Sequence, residues 1–159
     1  MGQSELVLFA VVGIAVIATL SVLQSRRQIT EGLRGQLVTG VQSAHTIVEG
    51  FRAQADAGHM SQADAQKAAQ DALRHSRYGD GGKDYFYIWS TDGVGVMHPI
   101  KPEWDGQNML GKVKDGAGVD IIAQLVEGMR NSRDGKAFVS MMFARPGQQT
   151  PVPKLQYIV

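Results

Sequence analysis

The chain contains no cysteine among its 159 residues. A disulfide framework, a cysteine-ligated zinc site and a thiol nucleophile are therefore excluded. An excess of charge of one sign is also missing, since 16 basic residues stand against 15 acidic ones and the formal net charge is +1. A nucleic-acid surface normally requires a basic stripe, so this balance argues against nucleic acid as a partner.

Motifs of catalysis and of metal binding are missing as well. The four histidines are scattered, and no pair has the i, i+4 spacing of a helical metal site. The chain has no Gly-x-Ser-x-Gly motif, and its glycine-rich stretch 79–82 lacks the Gly-Lys-Ser/Thr of a phosphate-binding loop. We therefore expect no enzyme, no catalytic residues, no metal site and no cofactor.

One N-terminal stretch lacks charge altogether, since no charged residue lies between Leu6 and Ser25. A helix over 6–23 would be about 27 Å long, close to the ~30 Å hydrocarbon core of a bilayer. A cleaved secretory signal would have a shorter apolar core, so we interpret 6–25 as a transmembrane helix after a tail of residues 1–5. Arg26 and Arg27 follow this span, and charge alone would place the next domain in the cytoplasm.

Two helices are predicted after the span. Apolar residues recur every three or four positions from Gln24 to Ala57, which indicates a long helix that continues the span without a break. The spacing suits a dimer seam, and packing on the domain's own sheet is the alternative. An alanine-rich helix should then begin after Ser61, with Ser61 and Asp64 as a capping box, and end near Arg77.

A β-hairpin is predicted over residues 85–98, because two runs of strand-forming residues flank a polar turn with glycine. Side chains alternate along a strand, so Tyr85, Tyr87 and Trp89 should share one face. His98 ends the returning strand. Two phenols, an indole and an imidazole can line a pocket for a small polar ligand, or the rings can simply pack under a helix.

Beyond the hairpin the sequence predicts a loop, a helix and two strands. In order, these cover residues 100–118, 119–130, 137–143 and 155–159. Asp115 or Gly118 is expected to cap the helix. The stretch from Arg145 to Pro153 contains three prolines and is expected to connect the two strands.

Several short motifs follow one another along this region. They are Arg77-Tyr78-Gly79, Tyr85-Phe86-Tyr87-Ile88, His98-Pro99, Lys101-Pro102-Glu103, Gly106-Gln107-Asn108, Lys114-Asp115, Arg145-Pro146-Gly147 and Pro151-Val152-Pro153-Lys154-Leu155-Gln156-Tyr157. In this order and at this spacing, from about Leu37 to Val159, the chain resembles the single Cache sensor domain. That domain is found in bacterial chemoreceptors (methyl-accepting chemotaxis proteins), histidine kinases and cyclases.

The resemblance implies an α+β fold for residues 26–159. A transmembrane helix would continue into a long helix packed on a PAS-like antiparallel sheet, with a pocket on the sheet's other face. It also implies a sensor on the periplasmic or extracellular side of the bacterial inner membrane, against the literal charge count. Family members continue with a further strand, a second span and a signalling module, so we expect a fragment whose sheet lacks its last strand.

The ligand implied by the resemblance is a small organic acid such as acetate, propionate, lactate or pyruvate. A carboxylate that leaves water must regain hydrogen bonds and preferably meet a cation. The candidate ligand-binding residues are Tyr85, Tyr87, His98, Arg77, Lys154, Tyr78, Lys101 and Tyr157. His98 should become more cationic beside a bound anion. Trp89 and Met97 are expected to form an apolar wall.

The function expected from these residues is that of the ligand-binding region of a transmembrane chemoreceptor. It would act as a homodimer and signal through a small movement of its helices. The alternatives are the sensor region of a histidine kinase or cyclase, or a membrane-anchored module that dimerises and takes no small ligand.

Overall fold

The computed structural model describes residues 3–144 and 148–159, with the backbone alone described for 3–12. It consists of two units, residues 1–36 and residues 37–159. Arg145-Pro146-Gly147, part of the predicted connection and of the motif series, lies outside the described residues. The first two residues of the predicted tail also lie outside them.

Three α-helices, two short 3₁₀ helices (Asp80–Gly82 and Pro102–Trp104) and six strands make up the described part of the chain. In order, the α-helices and strands are α1 (Gln3–Asp56), α2 (Gln62–His75), β1 (Arg77–Tyr78), β2 (Asp84–Tyr85), β3 (Ile88–Trp89), β4 (Gly95–Met97), α3 (Ile121–Arg130), β5 (Ala137–Ala144) and β6 (Pro151–Ile158). The strands pair antiparallel as β1 with β2, β3 with β4, and β5 with β6. The predicted α+β class with a long first helix is confirmed, although the strands form three two-stranded sheets.

The first unit contains the N-terminal part of α1. Ile14, Ile17 and Leu20 each expose more than half of their surface there. Thr19 satisfies its hydroxyl within the helix by donating to the carbonyl of Ala15 at 2.8 Å. A helix was predicted in this region and is present, but no helix in the described residues is long and apolar enough to span a bilayer. The transmembrane assignment of 6–25 stays a prediction.

Helix α2 begins where its capping residues predict. The hydroxyl oxygen of Ser61 accepts a hydrogen bond from the backbone N–H of Asp64 at 3.0 Å, and Ser61 donates to the Asp64 carboxylate at 2.7 Å. The helix ends at His75, two residues before the predicted end, because Ser76 takes an extended conformation and Arg77 enters β1.

The predicted hairpin is present as β3 and β4, with shorter strands than expected. Ile88 pairs with Met97 and Trp89 pairs with Gly95, and the register shifts between the two pairs. Gly95 has to be glycine, because a Cβ there would lie 2.4 Å from the carbonyl oxygen of Trp104. Close approach of the 100–118 loop to the hairpin therefore depends on this glycine.

Helix α3 starts at Ile121, two residues later than predicted, and its cap is Asp120. One Asp120 carboxylate oxygen accepts from the N–H groups of Ile122 and Ala123. The prediction that Asp115 or Gly118 caps this helix was wrong. Asp115 instead closes its own turn by accepting from the N–H groups of the residues that follow it.

Strand β6 begins earlier than predicted, because two of the three prolines assigned to the connection lie inside it. Pro151 stands opposite Ala144 and Pro153 stands opposite Met142. Proline has no N–H to donate and is tolerated on a strand with one unpaired edge. In the described part of the chain, β6 pairs with β5 alone.

The central strands separate two hydrophobic cores. The core on the helix side consists of Ala44, Leu73 and Met97, with Val48, Phe86 and Ile88 packed against it. The core on the other side consists of Met109, Val113, Ile121, Ile122, Leu125, Val139 and Met141. Tyr87, Trp89 and Trp104 pack against this second core and lie between α3, β5 and the hairpin.

Candidate functional site

Five rings gather on the side of the strands that faces away from α1 and α2. They are Tyr85, Tyr87, Trp89, His98 and Trp104, and we refer to them as the ring cluster. The Tyr85 and Tyr87 rings are 6.5 Å apart and those of Tyr87 and Trp89 are 6.4 Å apart, which confirms the predicted common face. His98 lies 5.5 Å from Tyr85 and 5.8 Å from Tyr87, the latter ring being nearly parallel to it.

Met97 does not line this cluster. It pairs with Ile88 across the hairpin, and directly paired residues point to the same face. Its side chain is therefore fully buried, at 0% exposure, in the core on the helix side. The structure corrects the predicted pocket wall: Trp89 is present in the cluster, and the second indole that faces it is Trp104, at 6.1 Å.

The imidazole of His98 is oriented by backbone groups. Its Nδ1 accepts hydrogen bonds from the N–H groups of Ile100 at 3.2 Å and Lys101 at 3.0 Å. A nitrogen that accepts carries no proton, so the hydrogen-bond pattern assigns the proton to Nε2. Burial lowers the pKa of His98 to about 4, and the charge of Lys154 acts in the same direction. His98 is thus a neutral donor near pH 7, and a more cationic His98 beside a bound anion stays a prediction.

Lys154 brings a positive charge to the cluster from β6. Its Nζ lies 4.9 Å from the centre of the Tyr85 ring. Burial lowers the pKa of the ammonium, and the nearby Asp84 carboxylate opposes this change. No carboxylate among the described residues lies within salt-bridge distance of Lys154. The ammonium is thus partly desolvated, and its nearby carboxylate, Asp84, does not form a salt bridge with it.

The two phenols of the cluster are donors at any working pH. Burial raises the pKa of Tyr87 far above its ordinary value, and it raises the pKa of Tyr85 as well. Within the described part of the chain, neither hydroxyl hydrogen-bonds to another residue. These two O–H groups therefore remain available to a ligand.

Two predicted cations point elsewhere. The exposed Arg77 donates from Nη1 to the carbonyls of Arg74 and Ser76, each at 2.8 Å, and so closes the end of α2. The ammonium of Lys101 lies 3.6 Å from the carboxylate of Glu103, and both side chains are exposed. Only the backbone N–H of Lys101 takes part in the cluster.

Two predicted tyrosines also lie apart from the cluster. The Tyr78 ring stacks on Phe86 at 4.8 Å, on the helix side of the strands, and burial raises the pKa of its phenol to about 12. Tyr157 pairs with Phe138 across β5 and β6, and their rings are 4.8 Å apart. Lys154 pairs with the buried Met141, so Tyr157 is on the opposite face of this sheet.

Sequence reasoning missed three residues around His98: Trp104, Arg74 and Asp105. The Trp104 ring is 5.1 Å from the imidazole. Arg74 and Asp105 form a salt bridge at 2.6 Å beside the His98 backbone. The only available signal was an indole within a long polar loop, since nothing in the sequence links a charge on α2 to one in that loop.

A concavity of about 290 Å³ lies between the hairpin turn and α3, apart from the ring cluster. Its charged groups are Asp92, Glu127 and Arg130, and the guanidinium of Arg130 already donates to the carbonyl of Thr91 at 3.0 Å. Two carboxylates and an engaged guanidinium do not favour an acid anion there.

Residues 30–159 match the family described as Single Cache domain 2. The chain belongs to this family. The fold and the sequence resemblance therefore agree on a single Cache domain.

A curated relative is the methyl-accepting chemotaxis protein McpP of Pseudomonas putida, which is 29% identical over 159 residues. The alignment covers 95% of this chain and 27% of McpP. The chain thus spans about a quarter of the length of that relative.

Solved structures of Cache domains resemble this one. A structure described as a periplasmic sensor domain of a chemotaxis protein has a TM-score of 0.69 and 35% identity, over 77% of this chain and 82% of its own. A second structure is described as the structural basis for carboxylic acid recognition by a Cache chemosensory domain. It has a TM-score of 0.72 and 27% identity, and the match covers 82% of this chain and 86% of its own. A methyl-accepting chemotaxis protein from Vibrio parahaemolyticus shares the fold. It has 21% identity and a TM-score of 0.66, and the match covers 86% of this chain and 90% of its own.

Cache domains of chemotaxis receptors are ligand-binding modules and not enzymes, which agrees with the expectation from the sequence. In this Cache domain, the ring cluster and Lys154 form the candidate binding site. Of the eight residues predicted to bind the ligand, the structure brings together Tyr85, Tyr87, His98 and Lys154.

Proposed function

We propose that this Cache domain is the ligand-binding sensor region of a bacterial chemoreceptor and that its ligand is a small organic acid. The observation that carries the proposal is the environment of Lys154. Its ammonium is partly buried over the Tyr85 ring, and the described residues offer it no carboxylate within salt-bridge distance. An unpaired charge removed from water costs several kcal/mol, so an acid anion bound beside it would be strongly favoured.

The remaining polar groups of the cluster suit the oxygens of a carboxylate. A carboxylate accepts up to about four hydrogen bonds and donates none. Tyr85 and Tyr87 supply O–H donors, and His98 supplies its Nε2–H. One ammonium and three neutral donors match a single carboxylate better than a phosphate or a dicarboxylate, which would need more positive charge.

The apolar side of the cluster suits a short carbon chain. Trp89 and Trp104 face one another at 6.1 Å and both pack against the second core. Aromatic rings bury methyl and methylene groups at a gain of about 0.8 kcal/mol for each CH₂. Acetate, propionate, lactate and pyruvate combine one carboxylate with such a chain, and a relative at 27% identity is described as recognising carboxylic acids.

The proposed setting follows from the relatives named above. A periplasmic sensor domain at 35% identity and a methyl-accepting chemotaxis protein support a place outside the cytoplasm and a membrane-bound receptor. The span over residues 6–25 and the homodimer stay predictions. In this setting the acid would shift the domain between two states, and α1 would carry the change as a small helix movement.

The proposal is tested by calorimetry of the purified 159-residue chain with acetate, propionate, lactate and pyruvate. We expect saturable binding of at least one acid. Tyr87→Phe should weaken that binding by about 1–3 kcal/mol, because it removes one donor to a desolvated carboxylate.

Tyr157→Phe is the matched control, since it removes the same hydroxyl from the opposite face of the β5–β6 sheet. Its affinity should equal that of the unchanged chain. No heat with any of the four acids, or equal losses in both variants, would remove the proposed site and favour a module that takes no small ligand.

A further inference from the structure

The backbone of His98 is held by a pair of side chains from distant elements. The Asp105 carboxylate accepts from the His98 N–H at 2.8 Å, and Nη1 of Arg74 donates to the His98 carbonyl at 3.3 Å. Arg74 also donates from Nη2 to the second Asp105 oxygen at 2.6 Å. We refer to Arg74 and Asp105 as the clamp, because together they satisfy both peptide groups of a residue that lies just beyond β4.

The clamp fixes the position from which the His98 ring extends, and the following backbone fixes the ring itself. Nδ1 accepts from the N–H groups of Ile100 and Lys101, so a proton on Nδ1 would bring three donors together with no acceptor. The ring can therefore keep these bonds only while its proton is on Nε2. Among the described residues Nε2 has no hydrogen-bond partner, which leaves it free to donate.

We propose that Arg74 and Asp105 are positioning residues that hold His98 as an Nε2–H donor, so that the acid is recognised by a neutral imidazole beside the Lys154 ammonium. This inference rests on the proposed function, since it specifies how the same site reads its ligand. It assigns the single positive charge of the site to Lys154.

The charges that face His98 are consistent with this assignment. Arg74 comes from α2, Lys154 from β6, and Lys101, Glu103 and Asp105 from the 100–118 loop. The phenols of Tyr85 and Tyr87 lie beside the ring. Arg74 is paired with Asp105 and Lys101 is paired with Glu103. Lys154 has Asp84 nearby but forms no salt bridge with a described carboxylate, and its positive charge opposes an imidazolium.

Nitrogen NMR of the His98 ring tests the assignment on the full chain at pH 6 to 7, first without ligand and then with propionate as the probe. We expect a protonated Nε2 and an unprotonated Nδ1 in both spectra. A protonated Nδ1, or an imidazolium in the complex, would overturn the inference. The spectrum without ligand decides the tautomer even if propionate fails to bind, so failure of the proposed function is a separate outcome.

Substitutions of the clamp test whether it positions the ring. Asp105→Ala should mix the two tautomers and weaken propionate binding about tenfold, as expected when one hydrogen-bonded anchor is lost. Asp105→Asn keeps an acceptor for the His98 N–H and should restore most of the affinity. Lys112→Ala is the control, because it removes an exposed ammonium from the same loop and should leave the affinity unchanged.

Unchanged His98 signals and unchanged affinity in Asp105→Ala would overturn the role of the clamp. Circular dichroism and a thermal melt accompany each variant. If Asp105→Ala is not folded, Arg74→Met supplies the same test from the other side of the salt bridge, with the same two outcomes.

Discussion

Lys154 illustrates how single residues acquire their roles in this domain. It reaches the Tyr85 ring from the last strand, whereas Arg77, which pairs with Tyr85 across β1 and β2, turns its guanidinium back to the end of α2. Lys101 is next to the site in sequence and uses only its backbone there. A positive charge therefore did not decide which side chain lies at the candidate site, because Arg77 and Lys101 find partners elsewhere.

His98 should make the stability of the domain fall in mild acid. Burial lowers its pKa from 6.5 to about 4 in the folded state, so the unfolded chain binds the proton more readily between these values. The neutral His98 therefore contributes to the free energy of unfolding above pH 6.5, and this contribution is lost as the pH falls to 4. It amounts to at most about 3 kcal/mol. Denaturant unfolding at pH 7.5, 5.5 and 4.5 measures it.

The control for this dependence is His59→Asn, since His59 is exposed. His59→Asn should keep the pH slope, and His98→Asn should flatten it between pH 6.5 and 4. The slopes are compared rather than the stabilities, because His98→Asn also changes packing. Parallel curves for all three chains would contradict the buried neutral histidine.

At the scale of elements, the loop before α3 depends on one carboxylate. Asp120 caps the helix through the N–H groups of Ile122 and Ala123, and its other oxygen accepts from the N–H of Gly111. It thereby ties the helix that packs on β5 to the loop that carries Met109 and Val113 into the second core. An apolar side chain at position 120 would leave these donors unpaired.

Asp120→Ala should lower the free energy of unfolding by about 1–2 kcal/mol, the usual cost of a lost N-cap. Asp120→Asn should cost less, because asparagine retains one acceptor oxygen. The control is Asp71→Ala on the exposed side of α2, where a change within about 0.5 kcal/mol is expected. Equal losses at positions 120 and 71 in denaturant unfolding would show that the cap contributes nothing specific.

At the scale of the whole molecule, α1 is the element that we propose converts ligand binding into a signal. It runs from Gln3 to Asp56, and its C-terminal part places Ala44 in the core on the helix side, directly behind the strands that carry the ring cluster. Further toward its N-terminus, Ile29 and Leu33 are 63% and 54% exposed. Such apolar side chains suit contact with a second copy of the chain.

Cross-linking tests this arrangement cleanly, because the chain has no cysteine of its own. Ile29→Cys and Leu33→Cys should each form disulfide-linked dimers, and the yields should change when a bound acid shifts the helices. His45→Cys, exposed on the same helix, serves as the comparison. Dimer yields that do not respond to the acid at any position would contradict signalling through α1.

Much of the fold followed from local pattern. Ser61 and Asp64 set the start of α2, the alternation from Tyr85 to Trp89 set which rings share a face, and the glycine turn set the hairpin. The predicted cap of α3 was wrong because Asp115 and Asp120 are both typical N-cap residues. Only the turn that Asp115 closes on itself separates them.

By itself, the sequence determined the family, the long first helix and the common face of Tyr85, Tyr87 and Trp89, because helical and strand periods and capping chemistry are properties of neighbouring residues. Only the tertiary structure decided that Lys154 lies over the Tyr85 ring, that Trp104 joins the ring cluster and that Arg74 and Asp105 bond the backbone of His98. These contacts join residues from separate elements, and their formation depends on how the helices, loop and strands pack.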